Sequence, residues 1–242
     1  YDLVDDGMLT TTPEHNFGLT ESNSDIPSMQ YSAKPGFVQM AGLNKFMWDA
    51  EGVECIEKDG IWLCNFKKPN GENIALAWSE VGSECNVDIN LGDSEIEVFD
   101  MYTNSLGKMT SDSGVHTIGL TRHPLYIKGN FTSFTAEKSN NGIALSYTAT
   151  PDDAFRMQYV TDKAGDLKAE CYSPDSVVIS DMVGTSIPVV TTKEAMGNGG
   201  ATVKIYNGDD LVYIGQPDII IDEALMMGVE SKQITEKDHA RH

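Results

Sequence analysis

From residue 53 onward, hydrophobic and polar positions alternate in short bursts. A period of two predicts half-buried strands, here near 53–58, 61–67, 73–79, 85–91, 95–101, 115–121 and 124–128. Asp59-Gly60, Pro69-Asn70-Gly71, Gly92-Asp93, Asn104 to Gly107 and Asp112 to Gly114 punctuate them as turns. Residues 129–136 read as a joint. A second set follows near 143–150, 155–161, 166–171, 176–181, 186–191, 201–206 and 209–214, with Asn207-Gly208 as a hairpin turn and Ile219 to Ile221 as one more strand. Short strands at this spacing predict β-sandwiches.

Before residue 53 the period is helical. Residues 34–48 predict a helix with Pro35 in its first turn, where a missing N–H costs nothing. Phe37, Met40, Ala41, Leu43, Met47 and Trp48 make a broad apolar face, and Gly52 helps to stop the helix. Ahead of it lie a strand end at 1–4 and a long polar loop at 5–32. A lone β–loop–α unit cannot bury both faces of its strand. The chain therefore reads as the C-terminal part of a larger protein, with its last sandwich cut short.

Composition narrows the function classes. Apolar residues make up 40% of the chain, enough for a packed core. The net charge of −20 opposes binding to nucleic acid, which needs clustered Lys and Arg, and docking on an anionic membrane. No apolar run reaches the length of a membrane span. Among the four cysteines, Cys55 and Cys64 flank the Asp59-Gly60 turn. A two-residue loop pairs Lys58 with Ile61, Glu57 with Trp62, Ile56 with Leu63 and Cys55 with Cys64. The cysteine pair falls on a non-hydrogen-bonded site, where side chains approach most closely. It reads either as a cross-strand disulfide or as two facing thiols. Cys85 and Cys171 read as small buried residues. No spacing suggests zinc, and nothing implies a cofactor.

Three words stand in order at the start: Tyr1-Asp2-Leu3-Val4-Asp5-Asp6-Gly7, Glu14-His15-Asn16-Phe17-Gly18-Leu19, and Lys34-Pro35-Gly36-Phe37-Val38. With IALAWSE, EIEVFDMYTNSLG and LTRHPLYIKG behind them, this series resembles the end of the catalytic barrel, and the sandwich after it, in cellulase-like and β-xylosidase-like (β/α)8 glycoside hydrolases. The resemblance spans residues 1–130. It implies the last β–loop–α unit of a barrel over 1–50 and a β-sandwich packed on that barrel over 51–136; the strand pattern of 137–242 reads as a second, Ig-like sandwich, so the chain is expected to be mainly β.

Such enzymes retain configuration with two carboxyl groups about 5–5.5 Å apart. The resemblance places both glutamates upstream of Tyr1, so no catalytic residue is expected here, and Glu14 and Glu21 receive no such role. Tyr1, Asp5 and Asp6 would stand at the functional end of a barrel strand as substrate contacts. Asp5-Asp6-Gly7 also reads as a plain turn. The expected partner is a carbohydrate, reached through the parent barrel. The expected location is extracellular or cell-surface, which inclines Cys55 and Cys64 toward the disulfide.

The bland reading is preferred for several other residues. His15 and His123 read as structural. Trp62 and Trp78 would form a sugar platform if exposed, and core packing is the preferred reading. Asn130-Phe131-Thr132 is a glycosylation sequon. The second set offers few exposed aromatics, and it reads as a spacer ahead of a binder.

Overall fold

The computed structural model describes residues 20, 33–80, 85–139, 144–149, 154–160, 167–173, 176–181, 186–192 and 201–216. These residues are mainly β. The described helix is α1 (Pro35–Met47). The strands that follow are β1 (Glu51–Lys58), β2 (Ile61–Lys67), β3 (Asn73–Ser79), β4 (Cys85–Asn90), β5 (Glu95–Phe99), β6 (Ser105–Thr110), β7 (Val115–Leu120), β8 (Leu125–Gly129) and β9 (Thr135–Lys138). Then come β10 (Ala144–Ala149), β11 (Ala154–Val160), β12 (Leu167–Ser173), β13 (Ser176–Asp181), β14 (Ser186–Thr192), β15 (Thr202–Asn207) and β16 (Asp210–Gly215).

They form three sheets. A six-stranded antiparallel sheet runs β1-β2-β3-β8-β5-β6. A seven-stranded sheet runs β13-β12-β15-β16-β7-β4-β9, and a three-stranded sheet runs β10-β11-β14. The first two pack face to face. Ile61, Leu63, Ala75, Ala77, Ile96, Val98, Leu125 and Ile127 meet Val87, Ile89, Ile118, Leu120, Leu211 and Ile214 in one core. Alternation along each strand explains it: residues two apart point the same way, so one face is apolar throughout.

The seven-stranded sheet is used on both faces. Its β4 and β7 strands turn inward onto the six-stranded sheet, while β12 and β13 lie against β14. The join is a short parallel contact in which Ile214 and Gly215 of β16 face Ile118 and Gly119 of β7. Tyr213, fully buried, donates its hydroxyl to Asn86 Oδ1 at 2.9 Å and pins β16 to β4. Residue 136, where the sequence reading divides the sandwiches, lies within β9, and β16 returns across that point to reach β7.

The hairpin of β1 and β2 has the expected register, from Lys58↔Ile61 to Cys55↔Cys64. Its turn needs positive φ at both central residues, and Asp59 (55°) and Gly60 (77°) supply it.

Two strands depart from the pattern-based reading. Ser105–Thr110 was expected to begin as a turn and is β6 instead. A register shift opposite Val98 and Phe99 puts both Leu106 and Met109 inward, three residues apart, so the period-two signal is broken. Thr135–Lys138, expected within or beside a joint, is the edge strand β9. Its sequence TAEK buries only Ala136, and charged residues on an edge strand leave no hydrophobic pattern.

Candidate functional site

The outer face of the six-stranded sheet is built of cross-strand ladders. Phe99, Tyr126, Leu76, Cys64 and Cys55 stand directly opposite one another across five strands. The adjoining row is Glu97, Lys128, Ile74 and Phe66. Helix α1 covers the β8 and β5 end of this face with Phe46, which packs on Ile74, Tyr126 and Phe99. Its ring centroid is 4.7 Å from that of Tyr126 and 5.0 Å from that of Phe99. Lys128 Nζ lies 4.9 Å from the Phe46 centroid and pairs with Glu72 at 3.2 Å. Burial raises the Tyr126 phenol above its usual range.

The helix docks by a side that its pattern did not single out. A Cβ at Gly42 would come 2.8 Å from Thr103 Cγ2 and 3.2 Å from the Met101 carbonyl oxygen, so glycine allows the close approach. Gly42 and Phe46 are buried, whereas Phe37 (38%), Met40 (49%), Leu43 (39%) and Trp48 (73%) are exposed. Ala41 is exposed as well, and Met47 is half-buried. Of the broad apolar face expected from residues 34–48, Met47 packs against the Phe46 cluster, while Phe37, Met40, Ala41, Leu43 and Trp48 are exposed, together with Val38.

Beyond the helix, at the β1 and β2 end, Trp62 and Trp78 are cross-strand partners. Their rings are stacked, with planes 2° apart and centroids separated by 5.5 Å. Both are half-buried and lie outside the core cluster, contrary to the reading of core packing. The reason is parity: Ile61 and Leu63 take the inward positions, so Trp62 must point outward. The Trp62 indole N–H donates to Glu80 Oε1 at 3.1 Å. Glu57 faces Trp62 from β1, and its Oε1 accepts from the Gly60 N–H at 2.9 Å. The Glu80 N–H in turn donates to the Gly60 carbonyl at 2.8 Å. Gly60 thereby ties two exposed glutamates, Glu57 and Glu80, to the same tight turn. In the next row Cys55 and Cys64 are joined by a disulfide, their Cα atoms 4.0 Å apart.

A second half-open face lies where the seven-stranded sheet runs past β6. Glu170 Oε2 accepts from the Tyr172 hydroxyl at 2.5 Å, and Lys168 Nζ is 3.0 Å from Glu170 Oε1. Lys204 Nζ lies 4.7 Å from the Tyr172 ring centroid. The hydrogen bond from Tyr172 holds the Glu170 carboxyl below its usual range, and the same bond pushes Tyr172 up. Burial lowers Lys204 and raises Tyr206. Each group here is answered by a neighbour.

Tyr1, Asp5 and Asp6, expected as substrate contacts, lie outside the described residues, as do Glu14, His15 and Glu21. Among the described residues no group of three His, Cys, Asp or Glu could hold a metal ion, and no helix is long and apolar enough to cross a membrane. Glu57 could have been placed beside Trp62 from the hairpin register alone. Glu80 could not, because its position depends on where β3 ends against the turn.

No family model and no curated protein matches the chain. Among solved structures, a family 39 glycoside hydrolase from the gut symbiont Bacteroides cellulosilyticus WH2 is 20% identical, with a TM-score of 0.44. That match covers 52% of this chain and 25% of the hydrolase. The Group B Streptococcus pullulanase SAP is 12% identical, with a TM-score of 0.20, over 67% of this chain and 22% of its own. The chain thus spans a quarter or less of either protein. Both likenesses are remote, and neither places the chain in a family.

Proposed function

We propose that this chain is the non-catalytic C-terminal portion of a secreted glycoside hydrolase that cleaves β-linked glycans with retention. Its residues 1–50 would complete a (β/α)8 barrel, and residues 51–136 would form the sandwich that braces it. Residues 137–242 would form a second sandwich. The reading rests on the ordered words from Tyr1 to Val38. The observation that carries it is the exposed apolar side of α1: Phe37, Val38, Met40 and Leu43 follow the Lys34-Pro35 word directly and stay uncovered by the sheet. A helix that is apolar on both sides is one that packs between two bodies. The Cys55–Cys64 disulfide on an exposed hairpin supports an oxidising compartment.

In this reading both catalytic glutamates belong to earlier barrel strands, and Tyr1, Asp5 and Asp6 contact sugar at the barrel mouth. The gene upstream of Tyr1 tests it. An open frame through alternating strands and helices, with a glutamate ending the fourth and seventh strands, is the expected result. Hydrolysis of aryl β-glycosides by the purified 242-residue chain would overturn it.

A further inference from the structure

We propose that His116 and Asp93 form an acid-operated latch on residues 130–133, where the chain crosses from β8 in the six-stranded sheet to β9 in the seven-stranded one. Three segments meet at this end of the sandwich, with residues 90–94 as their hub. The Leu91 carbonyl accepts from the Thr132 and Ser133 N–H groups at 2.9 and 3.1 Å, and the Gly92 carbonyl accepts from the Thr132 hydroxyl at 3.1 Å. The Asp93 carboxylate accepts from the Asn130 N–H at 2.6 Å. From the turn before β7, the Gly114 carbonyl accepts from the Leu91 N–H at 3.2 Å. A Cβ at Gly92 would collide with Thr132 Oγ1, so the crossing segment lies directly against the hub.

His116 fastens this hub from the core side. The ring is 2% exposed, and its Nε2 lies 2.9 Å from the Asp93 carbonyl oxygen. A carbonyl can only accept, so Nε2 carries the hydrogen and Nδ1 is the bare nitrogen. Nδ1 is buried and meets no partner among the described residues. A second proton must go there, and it would leave a charged N–H with nothing to accept it. The ring therefore takes that proton only when Asp93 moves aside and water enters. Asp93 also holds Asn130, so releasing the ring loosens the crossing segment. The surrounding charges offer no other partner. Ile89 stands opposite His116 on β4, and Asp88 beside it points to the other side of that sheet. Glu95, Glu97, Lys108 and Lys128 stand on the far face of the six-stranded sheet, and Asp112 and Lys138 are exposed. Burial outweighs the pull of Asp93 and keeps the folded ring neutral.

Hydrogen exchange of the 242-residue chain from about pH 7.5 to about pH 5, corrected for the intrinsic pH dependence of exchange, tests the latch. Below the unfolded histidine value of about 6.5, one proton bound on opening raises the open fraction by up to about tenfold per pH unit. The Thr132 and Ser133 amides should lose protection on that slope. Urea below its unfolding transition should not speed their exchange, because a local opening exposes little surface. His116→Gln keeps a donor for the Asp93 carbonyl and does not titrate, so it should flatten the slope. The slope and its urea dependence are read on the unmodified chain, so the test stands even where the variant fails to fold. Three results overturn the proposal: unchanged protection of these amides across the pH range, a loss with the same urea dependence as the β2 and β3 amides, or an equal loss in a folded His116→Gln variant.

Discussion

Two sheet faces of this protein run past the elements that cover them, and they solve the problem with different chemistry. Around Glu170 the exposed stretch is polar, and its groups saturate one another: Tyr172 and Lys168 both reach the same carboxylate, and Lys204 lies over the Tyr172 ring. Around Trp62 the exposed stretch is aromatic, with carboxylates at its rim. A saturated network has no remaining valence for a ligand and behaves as structure. The stacked rings answer each other, and Glu80 answers the Trp62 N–H.

The comparison can be broken first at the covered end of the aromatic face. Phe46→Ala removes a buried ring from Ile74, Tyr126 and Phe99 and should cost about 3 kcal/mol in urea unfolding. If it costs less than about 1 kcal/mol, α1 is not docked through that ring. Next comes the disulfide. Replacing Cys55 and Cys64 together by serine should cost about 2 kcal/mol, because closing a short loop restricts the unfolded chain. Dithiothreitol should lower the melting temperature of the parent chain and leave the double variant unchanged.

On the polar face, Glu170→Gln should cost about 1 kcal/mol at neutral pH. The folded-state pKa of Glu170 is depressed, so its contribution is present above the unfolded value of about 4.3. It is lost as pH falls through the folded value. Stability measured against pH should therefore show a shallower acid limb in the variant, and an unchanged limb would mean that the carboxylate is not held by Tyr172.

The core between the sheets has its own titrating group. His116 is buried, and its Nε2 meets the Asp93 carbonyl at 2.9 Å. Burial lowers its pKa, so the neutral ring is the folded form. Its contribution is complete above the unfolded value of about 6.5 and falls away as pH drops from there toward the folded value. His116→Gln should remove that milder loss, which begins at higher pH than the Glu170 limb. The smallest effect belongs to the surface pair of Lys108 and Glu95, 2.7 Å apart and well exposed on both sides. Lys108→Ala should leave the unfolding midpoint within experimental error.

Much of the first sheet was legible residue by residue. Asp59-Gly60 dictated the hairpin, its register and the opposition of Cys55 and Cys64, because a two-residue turn leaves one pairing. The strands from β2 to β5 followed from alternation. β6 did not, since a register shift breaks its period, and β9 did not, since an edge strand of charged residues has no pattern to break. At the site, the hairpin register alone puts Glu57 beside Trp62, and alternation puts Trp62 with Cys64 and Phe66 on a semi-buried face, while the preference for core packing of the Trp pair is not met. Alternation says which residues share a side but not which side is the core.

Local chemistry thus determined most of the described elements of this protein, β6 and β9 excepted: turns from Gly and Asn, strands from a period of two, and a helix from a period near four. Sequence alone could also state that the helix was apolar over a wide arc. Tertiary structure decided the rest. It chose the Gly42 and Phe46 side of α1 for docking, because only a missing Cβ permits contact with Met101 and Thr103. It returned β16 to β7 across nearly a hundred residues and so gave one sheet two working faces. Contacts between residues far apart in sequence depend on which apolar faces meet, and that choice is made by packing, which no local pattern records.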